Sequence, residues 1–216
     1  VREYLLKNPE VLEEAMNELS KRQAAAEAEK HQASITKNAD AIFNSPRGVT
    51  LGNKDGDVTF VEFFDYNCGY CKRAMDDMLT IMKGDSKLKV VLKEFPVLSQ
   101  GSVEAAQVAV AVRMQDPTGK KYLDFHQKLL GGRGAADKAR ALQAAKEAGL
   151  DTARIEKDIA SPEVRATIEE NFKLAEAMGM NGTPSYVIGK QIVIGAVGVE
   201  GLKEKIGIAR CGKATC

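Results

Sequence analysis

Apolar residues fall into two regimes along this chain. Residues 1–45 carry them sparsely on a charged, Ala-rich background, whereas from residue 47 onward compact apolar runs alternate with helical stripes. The runs come first. Val49 to Leu51 reads as a short strand, residues 53–56 (Asn-Lys-Asp-Gly) as a turn, and Val58 to Phe64 as the first central strand. Residues 88–95 form a second strand, ended by Pro96. A helical block follows: residues 102–113, a helix marked by Tyr122, Phe125 and Leu129, and residues 137–148, closed by Gly149. Asp151 and Ser161-Pro162-Glu163 are further helix starts. Val164, Ile168, Phe172 and Ala175 then make one stripe up to Gly179, read as core packing. The chain returns to strand at residues 185–188, turns at Gly189-Lys190, runs through residues 191–194 and finishes in a helix over residues 199–208.

The first 45 residues predict something extended. Asn8-Pro9-Glu10 supplies an N-cap, a proline at the first helical position and an acid in the first turn, followed by Val11, Leu12, Ala15, Met16 and Leu19 on one face. Tyr4 and Leu5 precede it in a short helical turn. Leu5, Leu12 and Leu19 keep a seven-residue spacing, which a self-associating helix uses; packing of this stretch back on its own domain is the other reading. Residues 21–30 have high helix propensity and few large apolar anchors, so they read as an exposed stalk. The loop Asn44-Ser45-Pro46-Arg47-Gly48 divides the chain into a stalk and linker, 1–45, and a compact domain, 46–216, with a helical insertion at about 100–180.

The chemistry sits where the first central strand stops. Asp65-Tyr66-Asn67 ends the apolar run, and Cys68-Gly69-Tyr70-Cys71 opens a helical segment over residues 72–83. Cys68 is thereby placed at a helix N-terminus, where free N–H groups and the dipole favour thiolate over thiol. This makes Cys68 the nucleophile and Cys71, one turn further in and facing the core, the second cysteine to act. A zinc half-site needs a second ligand pair, yet Cys211 and Cys216 are remote and neither histidine is suitably spaced. A structural disulfide at 68–71 also stands as a reading. Cys211 and Cys216 themselves are read as a disulfide clamping the tail, in preference to a thiol or metal role.

With 216 residues, 44% of them hydrophobic and 28% charged, the chain can bury a sizeable core as one domain plus an appendage. Its net charge of +1 provides no basic field for nucleic acid, and no apolar run approaches the roughly 20 residues that span a bilayer. The chain starts at Val1 rather than Met, which leaves room for a secretory signal removed ahead of this numbering. Two close cysteine pairs suit an oxidising compartment.

The order strand, Cys-x-x-Cys helix, strand, helical insertion, Thr-Pro, hairpin, helix resembles a thioredoxin-fold protein of the DsbA type over residues 47–210. The implied fold class is α/β: a thioredoxin fold with an inserted helical domain and an N-terminal helical oligomerisation stalk. Glu62, six positions before Cys68, resembles the family's buried glutamate beneath the active site. Gly182-Thr183-Pro184 resembles its cis-proline loop, which implies that Pro184 sits against the cysteines and that the Thr183 backbone pairs with an extended substrate. Gly69 and Tyr70 complete the implied substrate surface.

The N-terminal Tyr4-Leu5-Leu6-Lys7-Asn8-Pro9-Glu10-Val11-Leu12 ahead of such a domain is similar to the suppressor-of-copper-sensitivity C group, which includes trimeric disulfide isomerases joined through their N-terminal helices. The resemblance implies a periplasmic protein disulfide isomerase with no required cofactor, acting on disulfide-containing proteins, recycled by a membrane-bound redox partner and assembled as a homotrimer through Leu5, Leu12 and Leu19. Neither Gly69 nor Tyr70 is cationic, which gives the thiolate less help than a histidine there and moves the pair from oxidase toward isomerase or reductase. Two other functions stand beside this one: a monomeric dithiol oxidase or reductase, and a copper-tolerance protein holding Cu(I) on Cys68 and Cys71.

Overall fold

The computed structural model describes residues 1–216. Five strands form one sheet in the order β1-β3-β2-β4-β5: β1 (Val49–Gly52), β2 (Val58–Phe64), β3 (Leu88–Glu94), β4 (Ser185–Ile188) and β5 (Gln191–Ile194). β2 and β3 pair in parallel, with Glu62 opposite Leu92, and the other pairings are antiparallel. The parallel pair needs a crossover, and α4 (Gly69–Gly84) supplies it.

Alternation along the central strands splits the core in two. Phe60, Phe64, Val90, Leu92, Tyr186 and Ile188 face α4, the block α5 (Gln100–Gln115), α6 (Lys120–Gly131), α7 (Lys138–Glu147) and α8 (Thr152–Asp158), and the closing helix α10 (Gly198–Cys211). Val61, Phe63, Val91 and Val187 face the other way, onto α9 (Pro162–Ala177) and the N-terminal helices. This parity decides where the charged strand residues go. Glu62 and Glu94 share the α4 side, and Lys93 points to the α9 side; all three are buried.

The helices start where local chemistry caps them. Ser99, Asp137, Asp151 and Ser161 accept from the N–H three residues on, and Pro162 occupies the first turn of α9. The Asn8 expectation fails: its side chain donates back to the Tyr4 carbonyl at 2.9 Å, ending α1 (Arg2–Lys7), and Pro9 sits at the N-cap of the next helix with no side-chain cap. An amide next to two helix ends can serve only one, and here the free carbonyl of α1 takes it.

α2 (Glu10–Lys37) is a single 28-residue helix, about 42 Å long, followed by α3 (Ala39–Phe43). The compact body begins earlier than residue 46. Ile35 and Ile42 are buried in the second core with Phe63, Val91 and Leu174, and the Ser34 hydroxyl donates to the Ala177 carbonyl at 2.6 Å. Two isoleucines seven apart in a polar stretch are enough to fasten the base of the stalk. Upstream of them nothing is buried: Tyr4, Leu6, Leu12, Met16 and Leu19 are exposed and Leu5 is half-buried.

The stripe read along α9 is also corrected. Its buried face carries Val164, Thr167, Asn171 and Leu174, while Ile168 is half-buried and Phe172 is exposed. Asn171 occupies the core because its side chain donates to the Glu94 carbonyl at 3.0 Å, satisfying a strand end that lacks a neighbour there. Beside it, Arg47 bridges Glu163 and Glu170, and Glu170 lies 3.7 Å from the buried Lys93 ammonium.

Candidate active site

Asp65 ends β2 by turning the chain. Its carboxylate accepts from Asn67 N at 2.7 Å, an Asx-turn, and from Val97 N and Leu98 N at 2.9 and 3.0 Å. The turn delivers Cys68 to the N-cap of α4, which starts at Gly69, three residues earlier than the sequence reading. Cys68 and Cys71 are free thiols. The Cys68 sulfur accepts from Cys71 N at 3.1 Å, and as a thiol it donates to the Thr183 carbonyl at 3.3 Å. The Thr183–Pro184 peptide is cis, so the resemblance to the cis-proline loop holds in this backbone.

The two thiols are driven apart electrostatically. The Cys71 thiol beside it holds Cys68 down to about 6 against opposition from burial, with help from Thr183 and the Cys71 and Tyr70 N–H groups. At pH 7 a thiol of that pKa is ~90% thiolate, against ~1% at its ordinary value. No cation contributes; the stabilisation comes from hydrogen bonds at a helix start. Cys71 goes the other way, pushed well up first by its complete burial and then by Cys68. Glu62, on the sheet face beneath α4, is raised to about 8, mainly by burial and then by the charges of Cys68 and Asp77, so it carries its proton at neutral pH. It lies close enough for its charge to raise Cys71 in turn. The surface beside Cys68 is open: Tyr70 is exposed with the Arg73 guanidinium 4.7 Å over its ring, and a side chain built at Gly69 would meet nothing within 4 Å.

The structure therefore brings Cys68, Cys71, Thr183, Pro184 and Glu62 together with Gly69 and Tyr70 at the rim. Leu5, Leu12 and Leu19 lie apart on the stalk. Cys211, the last residue of α10, is joined to Cys216 in a disulfide. No group of three or more His, Cys, Asp or Glu side chains is arranged to hold a metal ion.

Behind the site lies a buried polar cluster that the sequence reading missed. The Tyr66 hydroxyl is 3.2 Å from His126 Nδ1 and 3.3 Å from the Tyr122 hydroxyl, which donates in turn to Glu94. Burial holds His126 down to about 3 and raises Glu94 to about 8, so both are neutral at pH 7 and the cluster is uncharged. Tyr66 was visible only as a turn residue and Tyr122 only as a helix marker. Nothing in the sequence pairs residues some 60 positions apart.

A five-stranded mixed sheet with a low-pKa cysteine at the start of its crossover helix, a buried partner cysteine and a cis-proline loop against them defines a thioredoxin-fold dithiol protein. The chain belongs to the DSBA-like thioredoxin domain family, whose model matches residues 59–207. The model described as the copper resistance protein ScsC N-terminal domain matches residues 1–26. Among solved structures, a thioredoxin-like oxidoreductase from Silicibacter pomeroyi is 43% identical, covers 79% of this chain and 96% of its own, and superposes with a TM-score of 0.75. Proteus mirabilis ScsC in a transitional conformation is 29% identical over 97% of this chain and 93% of its own, with a TM-score of 0.74. The chain spans only a fifth to a quarter of the length of three curated sodium/proton antiporters that it matches, the one from Herminiimonas arsenicoxydans being 30% identical over 63% of this chain and 21% of that protein.

Proposed function

We propose that the chain is a protein disulfide isomerase of the bacterial periplasm, working through Cys68 and Cys71. The observation that carries this is the pairing of a hydrogen-bonded, low-pKa Cys68 with a buried, high-pKa Cys71 beside Thr183-Pro184. The Cys68 thiolate attacks one sulfur of a substrate disulfide; a mixed disulfide forms and the other substrate sulfur leaves as a thiolate. That freed thiolate can then attack a different disulfide of the same substrate and regenerate Cys68, which is isomerisation with no net electron transfer. Alternatively Cys71 loses its proton, attacks the Cys68 sulfur and releases a reduced substrate, leaving a Cys68–Cys71 disulfide. The high pKa of Cys71 slows this second route and leaves time for the first. Gly69, Tyr70 and the Thr183 backbone hold the substrate chain, Pro184 restricts access around the sulfur, and a membrane-bound redox partner keeps the pair reduced.

The apolar, uncovered face of the N-terminal helices supports assembly of several copies, and the resemblance of the N-terminal stretch to the suppressor-of-copper-sensitivity C group favours three. Several catalytic domains on one stalk raise the effective thiol concentration around a bound substrate. The donor set argues against Cu(I) as the main ligand of the pair: the Cys68 thiolate sits with a fully buried Cys71 thiol that resists ionisation. The test replaces Leu5, Leu12 and Leu19 by Lys in the full chain, which spares Ile35 and Ile42. Light scattering should show an oligomer become a monomer that still exchanges thiols but reactivates a scrambled multi-disulfide protein poorly. An intact chain that is already monomeric, or a variant that isomerises as well, gives the lead to the oxidase or reductase reading.

A further inference from the structure

Asn67, immediately before the nucleophile, makes more polar contacts than its place in a turn requires. Its Oδ1 accepts from Ala136 N at 2.6 Å, and its Nδ2 donates to Ala136 O at 2.9 Å, to Ser102 Oγ at 3.0 Å and to Ser99 Oγ at 3.3 Å. The reciprocal pair with Ala136 fixes which way the amide faces, since the reverse would set two carbonyls against each other. Ala136 lies just before the N-cap of α7, at the far end of a stretch that starts on the last residue of α6 and reads Gly131-Gly132-Arg133-Gly134-Ala135-Ala136. A second anchor holds its other end, where Lys72 Nζ donates to the Gly131 and Gly132 carbonyls at 2.7 and 3.2 Å. Between these two anchors Arg140 Nη1 donates to the Gly134 carbonyl at 3.3 Å, and the segment faces the catalytic sulfur. Cys68 and Gly69 on one side and Gly132, Gly134 and Ala135 on the other border an open hollow of about 330 Å³.

We propose that Asn67 is a specificity-determining positioning residue, fixing this glycine-rich wall at the distance from Cys68 that admits an extended polypeptide carrying a disulfide. The nucleophile itself is governed elsewhere: the groups that depress Cys68 are Cys71, Thr183 and the Tyr70 N–H, with no contribution from Asn67. Three glycines in six residues give the wall little stiffness of its own, so its position depends on the side chains that reach it: Asn67 from the turn before the catalytic helix, Lys72 from that helix and Arg140 from α7. The inserted helical block thus acts on substrate choice through a side chain that touches neither sulfur.

The inference rests on the exchange reading above, and its test separates the two. In the full chain, pre-reduced so that its own Cys68–Cys71 dithiol supplies the two electrons in a single turnover, Asn67→Ala is compared with wild type for reduction of insulin and of the small aromatic disulfide dithiobis-nitrobenzoate, for the alkylation pH midpoint of Cys68, and for amide exchange at Ala136. The expected result is a fall of about tenfold in the ratio of kcat/KM for insulin to that for the small disulfide, the scale of one lost hydrogen bond of this kind. It should appear mainly in KM, with faster exchange at Ala136 and an unmoved Cys68 midpoint. Lys72→Met, which removes the other anchor, should lower the ratio in the same direction, and it carries the test if Asn67→Ala does not fold. An unchanged ratio, or parallel losses on both substrates with a shifted Cys68 midpoint, overturns the inference. A wild-type chain that reduces neither substrate overturns the exchange reading instead.

Discussion

Glu62→Gln isolates the strain that the site places on the fold. Buried and facing α4, Glu62 is raised from an ordinary 4.5 to about 8, first by burial and then by the negative charges of Cys68 and Asp77. A group whose folded pKa lies above its unfolded value contributes stability that is complete below the unfolded pKa and drains away as pH rises through the folded one. Between pH 4.5 and 8 the unfolded chain has released this proton and the native chain has not. At pH 7 the deficit is about 3 kcal/mol, from about 2.5 pH units at about 1.4 kcal/mol each. Glutamine keeps the shape and stays neutral in both states. Urea unfolding of the reduced proteins should therefore find the variant more stable by about 3 kcal/mol at pH 7 and equal to wild type near pH 4.5. Parallel stability curves across this range would refute the reasoning, because they would mean that Glu62 is ionised in the folded protein.

Three further outcomes follow from particular contacts. Cys71→Ser should accumulate mixed disulfides through Cys68, seen as mass adducts that a reductant removes. Ile35→Ala and Ile42→Ala, at fully buried positions, should each cost about 2–4 kcal/mol in denaturant unfolding, whereas Leu12→Ala on the exposed face should cost under about 1 kcal/mol in a dilute, dissociated sample. Lys93→Met should raise stability by about 1–3 kcal/mol at pH 7, because burial lowers the ammonium to about 8 despite Glu170; wild-type stability should climb from pH 8 to 10.5 as the unfolded chain alone stays protonated, shrinking that gain.

The central strands were legible because buried parallel-type strands read as apolar runs, and the hairpin because Gly189-Lys190 separates two of them. The cysteine pair was legible for a different reason: two cysteines directly after a strand fall at a helix start. Less visible was anything set by tertiary contact. Asn171 broke the apolar period of α9 because a polar side chain took a core position to satisfy Glu94 O, so Ile168 and Phe172 were assigned to a face they do not share. Ile35 and Ile42 looked like isolated apolar residues in a solvated helix until the sheet face they cover was known. Asn67 and Asp65 were seen only as turn formers; their partners at 97, 98 and 136 come from other elements. Glu62 was reached through family resemblance, since an acid within an apolar run is equally compatible with an exposed edge.

The most direct measurement is the pH dependence of Cys68 alkylation in the reduced full-length chain, followed residue by residue with iodoacetamide and mass spectrometry. The account predicts that Cys68 alone reacts at limiting reagent, with a midpoint near pH 6, while Cys71 stays unmodified. A midpoint near the ordinary thiol value of 9, or alkylation of Cys71 ahead of Cys68, would contradict it.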